Sequence, residues 1–303
     1  MTTNSITPAR GRNMIVSRLL RGRVTRASLL CITVLLALSL LAPWALPHDP
    51  VAISLSEKLQ PPSLAHPFGT DYFGRDVLTR MAYGARISLT VGLSVILFAG
   101  LFGVPIGLAS GYVGGRLDNL CMRVMDGLLA FPPLLLAVAV VGLLGADLAT
   151  VTIALGVVQV PVLARVVRSS TLVVREEPYI RAMRALGAGP ARIILRHILP
   201  NIMSPLVVQG SIIFSTAIVA EASLSFLGLG VQPPASSWGR DLAEARRFMV
   251  DAPWLFLAPT GMIVASVVSI NFIGDALRDA LDPRSWGRSA DQQKEAENAL
   301  AHG

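Results

Sequence analysis

Glu221 is the side chain in this sequence best placed to do unusual chemistry, because it lies inside an apolar run over 203–227. A carboxylate within such a run costs roughly 2.5–3.5 kcal/mol to insert and is a functional candidate by default. It can line a path, take up a proton, or be hydrogen-bonded within the fold near an interface. Gln159, Gln209 and Asn271 are the other polar groups inside apolar runs. Gln209, Glu221 and Asn271 are the candidates for a translocation path or gate. His48, His66, His197 and His302 all lie outside these runs and show no zinc-ligand spacing, so neither a metal centre nor an intramembrane Ser–His or metal-dependent hydrolase is expected. Cys31 and Cys121 have no plausible disulfide partner. A phosphate-binding P-loop needs a Gly-Lys-Ser/Thr element. The only lysines, Lys58 and Lys294, follow Glu57 and Gln293. The chain therefore hydrolyses no ATP by that route, and no catalytic residue or chain-held cofactor is expected.

The elements that must position these residues are membrane spans. Of 303 residues, 53% are hydrophobic and 15% charged, against about 25% charged in a soluble domain. Apolar runs over 28–45, 88–111, 127–144, 148–167, 203–227 and 253–273 predict about six helices near the ~20-residue length that crosses a bilayer. The fold class is all-α and polytopic. The first run has a basic lead-in and a small-residue end, as a signal peptide does. Its length reads as an uncleaved first helix, with cleavage the alternative. Gly103, Gly107, Gly111 and Gly115 recur every four residues, a stripe that lets helix backbones approach closely. Pro105, Pro161, Pro205 and Pro259 fall within spans, where neighbouring groups satisfy the freed carbonyls.

The formal charge of +7 is carried almost wholly by arginine. The arginines flank apolar runs, as orientation signals do, instead of forming a nucleic-acid stripe. With the N-terminus inside, about 19 Lys and Arg fall on the cytoplasmic side and about 7 outside. The inner set includes Arg10, Arg12, Arg18, Arg21, Arg116, Arg123, Arg165 and Arg168; the outer includes Arg75, Arg80 and Arg86. Both termini, and Cys121 in a loop, are expected in the cytoplasm. The expected divisions are an N-terminal tail (1–27), a first helix with external loop (28–85), a core of helices two to six (86–279) and a polar C-terminal tail (280–303).

The longest cytoplasmic loop, 168–201, carries Tyr179, Ile180, Arg181, Ala182, Met183, Arg184, Ala185, Leu186 and Gly187, then His197-Ile198-Leu199-Pro200-Asn201. A helix from Tyr179 puts Tyr179, Ala182, Met183 and Leu186 on one face and turns Arg181 and Arg184 away. Gly187 is a natural stop. A short apolar-faced helix suits docking in another protein's groove or lying on lipid headgroups; periodicity alone leaves both open.

This loop resembles the "EAA" loop of bacterial ABC importer permeases, which runs Glu-Ala-Ala, three further residues, Gly, and later Ile-x-Leu-Pro. Ala182, Gly187, Leu199 and Pro200 match; Arg181 replaces the Glu, Met183 the second Ala and His197 the Ile. Three further segments resemble the dipeptide/oligopeptide permeases, in particular the "C" member of the pair. They are His66–Asp76, with Gly69, Asp71, Gly74, Arg75 and Asp76, followed by Gly84–Leu89 with Arg86; Leu224–Pro234 followed by Trp238-Gly239; and Gly274–Arg284, with Gly274, Asp275, Asp282 and Pro283. Together they span most of 66–284.

The resemblance implies a type I ABC importer permease fold in the bacterial inner membrane, with the 179–187 helix coupling to an ATPase. It implies a second permease subunit, one or two ABC ATPase subunits that bind ATP and Mg²⁺, an extracytoplasmic substrate-binding protein, and no nucleic acid. The expected cargo is dipeptides or oligopeptides, with nickel, glutathione, opines or another small solute as alternatives. From another class, a proton-coupled carrier would need a relay of intramembrane acids, of which only Glu221 qualifies. Glycines and charges in the 66–76 segment read as an external cap, with direct substrate contact the other reading.

Overall fold

A computed structural model of the chain describes residues 22–281. Most of the expected tails, with Arg10, Arg12, Arg18, Arg21, Asp282 and Pro283, lies outside the described residues; the described ends, 23–27 and 280–281, are helical instead. Among the described residues the fold is helical, with one isolated bridge, Thr70 to Asp76. The helices are α1 (Arg23–Ala45), α2 (Val77–Val113), α3 (Gly115–Leu129), α4 (Pro133–Leu144), α5 (Leu148–Arg175), α6 (Pro178–Ala185), α7 (Pro190–Ile193), α8 (Leu199–Asn201), α9 (Met203–Phe226), α10 (Trp238–Ala245) and α11 (Trp254–Leu281). Five of them, α1, α2, α5, α9 and α11, are long and apolar enough to cross a membrane.

The sixth expected span, 127–144, is not one helix. α3 ends at Leu129, α4 begins at Pro133, and the two bend by 85°. Pro132 and Pro133 explain the break: proline lacks the helix N–H, and the residue before it is driven from helical geometry. At about 1.5 Å per residue α4 reaches roughly 18 Å, short of the ~30 Å core. Cys121 and Gly127 accordingly sit inside α3.

Two other helices overrun their hydropathic limits. α2 begins at Val77, eleven residues before the expected start, because the Asp76 carboxylate caps it, accepting from Thr79 N at 2.8 Å and Thr79 Oγ1 at 2.7 Å. Its 37 residues span about 55 Å. α5 continues to Arg175, so Arg165 and Arg168 belong to a helix. There Arg168 pairs with Asp118 through Nε and Nη2, the latter at 2.6 Å, and Arg165 with Asp126. These bonds fasten α3 to α5.

α5 is the centre of the bundle: 61% of its most apolar stretch is buried, against 17% for α11. α2 packs on it along the glycine stripe. A Cβ at Gly103 would lie 3.0 Å from the Val160 carbonyl oxygen, at Gly107 2.5 Å from that of Ala164, and at Gly111 2.9 Å from that of Arg168. Gly115 is not part of the stripe; it stands at φ +62 with open space around it. The four expected prolines lie within helices, and Pro43 adds another in α1.

Gly107→Val must therefore separate α2 from α5 or distort them, at a cost of about 1–3 kcal/mol. We expect a clear drop in unfolding temperature in detergent, with Gly100→Val unchanged, since nothing lies within 4 Å of its Cβ position. Equal melting of the two variants would contradict the stripe's role.

Candidate functional site

At the C-terminal end of α2, the segment 178–202 folds back on the bundle through isoleucines. Ile180, Ile193, Ile198 and Ile202 are all buried in the main core. Ile193 and Ile198 are five residues apart, which an ideal α-helix would turn about 140° from each other. A π turn over Ile194–Ile198 brings them toward one face. Pro200 accounts for that turn, because its ring clashes with the carbonyl four residues back, that of Arg196. Leu199 is half-buried against the core and Pro200 exposed.

Helix α6 consequently has two faces. Ile180 is inserted into the core, and the Arg184 guanidinium lies over the Tyr112 ring, 4.9 Å from its centroid. The other face carries Tyr179, Ala182, Met183 and Leu186. Leu186 is 86% exposed and Tyr179 42%; Ala182 is exposed and Met183 half-buried. The helix ends as expected at Gly187, φ +82. The Ala188 N–H donates to Met183 O and Gly187 N–H to Arg184 O, both at 3.0 Å, a Schellman cap that needs a residue in left-handed geometry. Arg181, the reversed charge, is not loose: its Nη2 donates to Glu176 Oε2 at 3.1 Å. Arg175, then Arg181, hold the Glu176 carboxyl below its ordinary range. Ala185 is exposed.

The membrane-spanning part carries a groove of about 770 Å³ among α4, α5, α9 and α11. Gln159 Nε2 donates to Thr216 Oγ1 at 3.1 Å and Ser215 Oγ to Asn271 Oδ1 at 3.0 Å. These pairs, Ser211, Ser223 and Asp275 punctuate a mostly apolar lining. Of the expected path residues only Asn271 reaches it; Gln209 is half-buried elsewhere on α9. Gln159 belongs to the lining, as does Asp275, which the sequence offered only as part of a terminal motif. Gly274 packs on Ser211 of α9, whose Oγ is 2.0 Å from where its Cβ would be.

Glu221 faces away from the groove. It is fully buried, and its two oxygens accept from Ser88 Oγ at 3.1 Å and Ser225 Oγ at 2.8 Å. Ser237 Oγ donates to Ser225 Oγ at 3.3 Å. The carboxylate thus ties α9 to α2 and to the start of α10.

At the opposite end of α2 from α6 sits a polar knot. Asp71 accepts from Arg75 Nε at 2.6 Å, and Arg75 Nη2 reaches Glu244 at 3.0 Å. Arg80 is clamped on Asp241 through Nε at 3.0 Å and through Nη2, while Ser236 Oγ donates to Asp241 at 2.6 Å. Burial pushes the Asp241 carboxyl above its ordinary range, and Arg80 draws it back. Trp238 Nε1 donates to Met81 O at 3.0 Å. Gly69 and Gly74 hold φ +74 and +76 in the covering loop, and a Cβ at Gly74 would strike the Ser54 carbonyl. Arg86 is exposed on α2. The segment packs over this end of the bundle. Sequence reasoning missed the Arg80–Asp241 pair, whose members are 161 residues apart. It also found no metal-ligand spacing, yet the fold brings ligand atoms of His48, His66 and Asp76 within 4.8 Å of one another.

A bundle of membrane-crossing helices with a half-open groove and a pinned, outward-facing amphipathic helix at one end defines a transport permease. The chain belongs to the family of binding-protein-dependent transport system inner membrane components, whose profile matches residues 103–287. Residues 13–62 match the N-terminal TM domain of oligopeptide transport permease C. A Brucella suis chain named for a peptide transport system permease is 48% identical over 88% of this chain and 90% of its own length. The dipeptide transport system permease protein DppC of Alkalihalophilus pseudofirmus is 44% identical over 88% of each. The glutathione transport system permease protein GsiD of Pectobacterium atrosepticum is 42% identical over 88% of this chain and 89% of its own. Among solved structures, an inward-facing MetNI methionine ABC transporter chain superposes with TM-score 0.57 at 21% identity, over 67% of this chain and 96% of that one. That likeness shows a shared fold.

Arg80→Met leaves Asp241 buried without its cation, which costs about 3–5 kcal/mol. The Arg80→Met/Asp241→Leu double variant removes both charges and should recover much of that loss. Thermal unfolding of the purified chain measures both; a double variant no more stable than the single would show the pair is not coupled.

Proposed function

We propose that this chain is the non-catalytic permease subunit of an ATP-driven importer of short peptides in the bacterial inner membrane. The observation that carries the reading is α6: Ile180 and Arg184 pin one face to the bundle, and Tyr179, Ala182, Met183 and Leu186 are offered outward. Such a face suits the cleft of an ATPase subunit, which would hold ATP and Mg²⁺. Closure of two ATPases would pull α6 and, through its isoleucine anchor, rock the bundle between inward and outward states. Only contacts that differ between those states can drive the change. A second permease would close the open side of the groove, and a substrate-binding protein would deliver cargo at the capped end. The Lys and Arg bias supports a cytoplasmic α6 and cytoplasmic termini.

Relatives named for peptides and for glutathione support a small peptide cargo. The groove's neutral amide and hydroxyl groups suit peptide bonds. No histidine or cysteine is among its described lining residues, which favours peptides over nickel. Glu221 lies off the groove in a serine cradle, which favours ATP coupling over proton coupling.

Gly187→Trp strains the positive-φ cap, at a position whose Cβ site is open. It should abolish uptake while leaving membrane insertion and detergent stability near wild type. Normal uptake by this variant would remove α6 from the coupling route. With Cys31 replaced by serine, Cys121 should react with a membrane-impermeant thiol reagent only in inside-out vesicles; labelling from the outer face would overturn the orientation.

A further inference from the structure

We propose that His48, His66 and Glu57 form a binding site for a zinc-class divalent cation at the capped end of the bundle, with Asp76 as the positioning residue. This goes beyond the transport reading and rests on none of it.

The geometry starts at α2. Asp76 is buried; its Oδ2 is engaged by the Thr79 N–H and hydroxyl, which fixes the carboxylate. Its Oδ1 lies 2.9 Å from Nδ1 of His66, itself only 7% exposed. A carboxylate locked as a helix cap is an acceptor, so Nδ1 carries the proton and Nε2 keeps its lone pair. That carboxylate–histidine arrangement orients metal-ligating imidazoles and raises their basicity. Nε2 points to the side where Glu57 Oε1 stands 3.9 Å away. The His48 ring lies 4.8 Å from the His66 ring, centroid to centroid. Ligand atoms of His48, His66 and Asp76 all fall within 4.8 Å of one another.

Ligands on one tetrahedral ion with bonds near 2.0 Å stand about 3.3 Å apart. Glu57, half exposed and 3.9 Å from Nε2, and His48, half-buried beside the His66 ring, would both have to turn toward Nε2 to reach that spacing. The buried His66–Asp76 pair needs none. Two imidazoles and one carboxylate suit Zn²⁺, Cu²⁺ or Ni²⁺ far better than Mg²⁺ or Ca²⁺. Three protein ligands leave a fourth position for water. A bound ion would staple the 46–57 segment to the start of α2.

The test uses the full chain, purified in detergent on an affinity tag free of histidine, titrated with Zn²⁺ against a chromophoric chelator. We expect one Zn²⁺ per chain and a rise of several degrees in unfolding temperature. His48→Ala and Glu57→Gln should each weaken binding at least tenfold and remove the thermal shift, while His197→Gln, at the other end of the bundle, binds as wild type. A chain that takes up no stoichiometric Zn²⁺ would leave His66 as a hydrogen-bond partner of Asp76 and overturn the proposal. So would wild-type affinity in both the His48 and Glu57 variants. Both variants change side chains outside the core, so their folding can be checked by the same melting curve without zinc.

Discussion

The contact of α2 with α5 governs the rest of the molecule. Lipid tails are as apolar as leucine, so helices in a bilayer gain little from hiding apolar surface from one another. Close backbone approach must supply the attraction. Gly103, Gly107 and Gly111 remove the side chains that would hold α2 away, and the carbonyls of Val160, Ala164 and Arg168 occupy the space. With that seam fixed, both ends of α2 become rigid reference points. One end carries the Asp76 cap and the Arg80–Asp241 pair. The other carries Tyr112, on which Arg184 of α6 rests. The two functional ends are thus joined by one helix about 55 Å long.

Buried charge is concentrated where it holds segments distant in sequence together. Arg80 and Asp241 join α2 to α10, Arg75 bridges Asp71 and Glu244, and Glu221 joins α9 to α2 through serines. Each such pair is costly to break and adds little net stability over an apolar substitute. Its value is register: it sets which turn of one helix meets which turn of another. The groove, by contrast, holds polar groups that satisfy one another, Gln159 with Thr216 and Ser215 with Asn271. A surface of that kind can exchange its internal hydrogen bonds for those of a passing solute.

The sequence made the spans, the glycine stripe and the α6 face legible because each is a local periodicity. Tyr179, Ala182, Met183 and Leu186 recur at helical spacing, and the structure leaves that face outward. The α3–α4 break was misread although its signal, Pro132-Pro133, is plain: hydropathy averaged over the run hid a backbone constraint. The early start of α2 was missed for the same reason, since Arg80 and Arg86 made a helical turn look like a loop. Glu221 was legible as unusual, but of its two serine partners Ser88 lies 133 residues away on α2. The Arg80–Asp241 pair and the His48, His66, Asp76 cluster depend on chain segments meeting in space, and spacing along a sequence carries no trace of that.

The central claim, that the outward face of α6 is the seat of an ATPase, is tested most directly by site-specific crosslinking. A photoreactive amino acid would replace Leu186 in the native host, and in a parallel strain the exposed Leu64 at the capped end. Irradiation followed by mass spectrometry of the covalent products identifies what each face touches. The account predicts a P-loop ATPase on position 186 and none on position 64. Lipid adducts alone at 186, in cells that actively import, would show that α6 lies on the membrane surface and would contradict the coupling role.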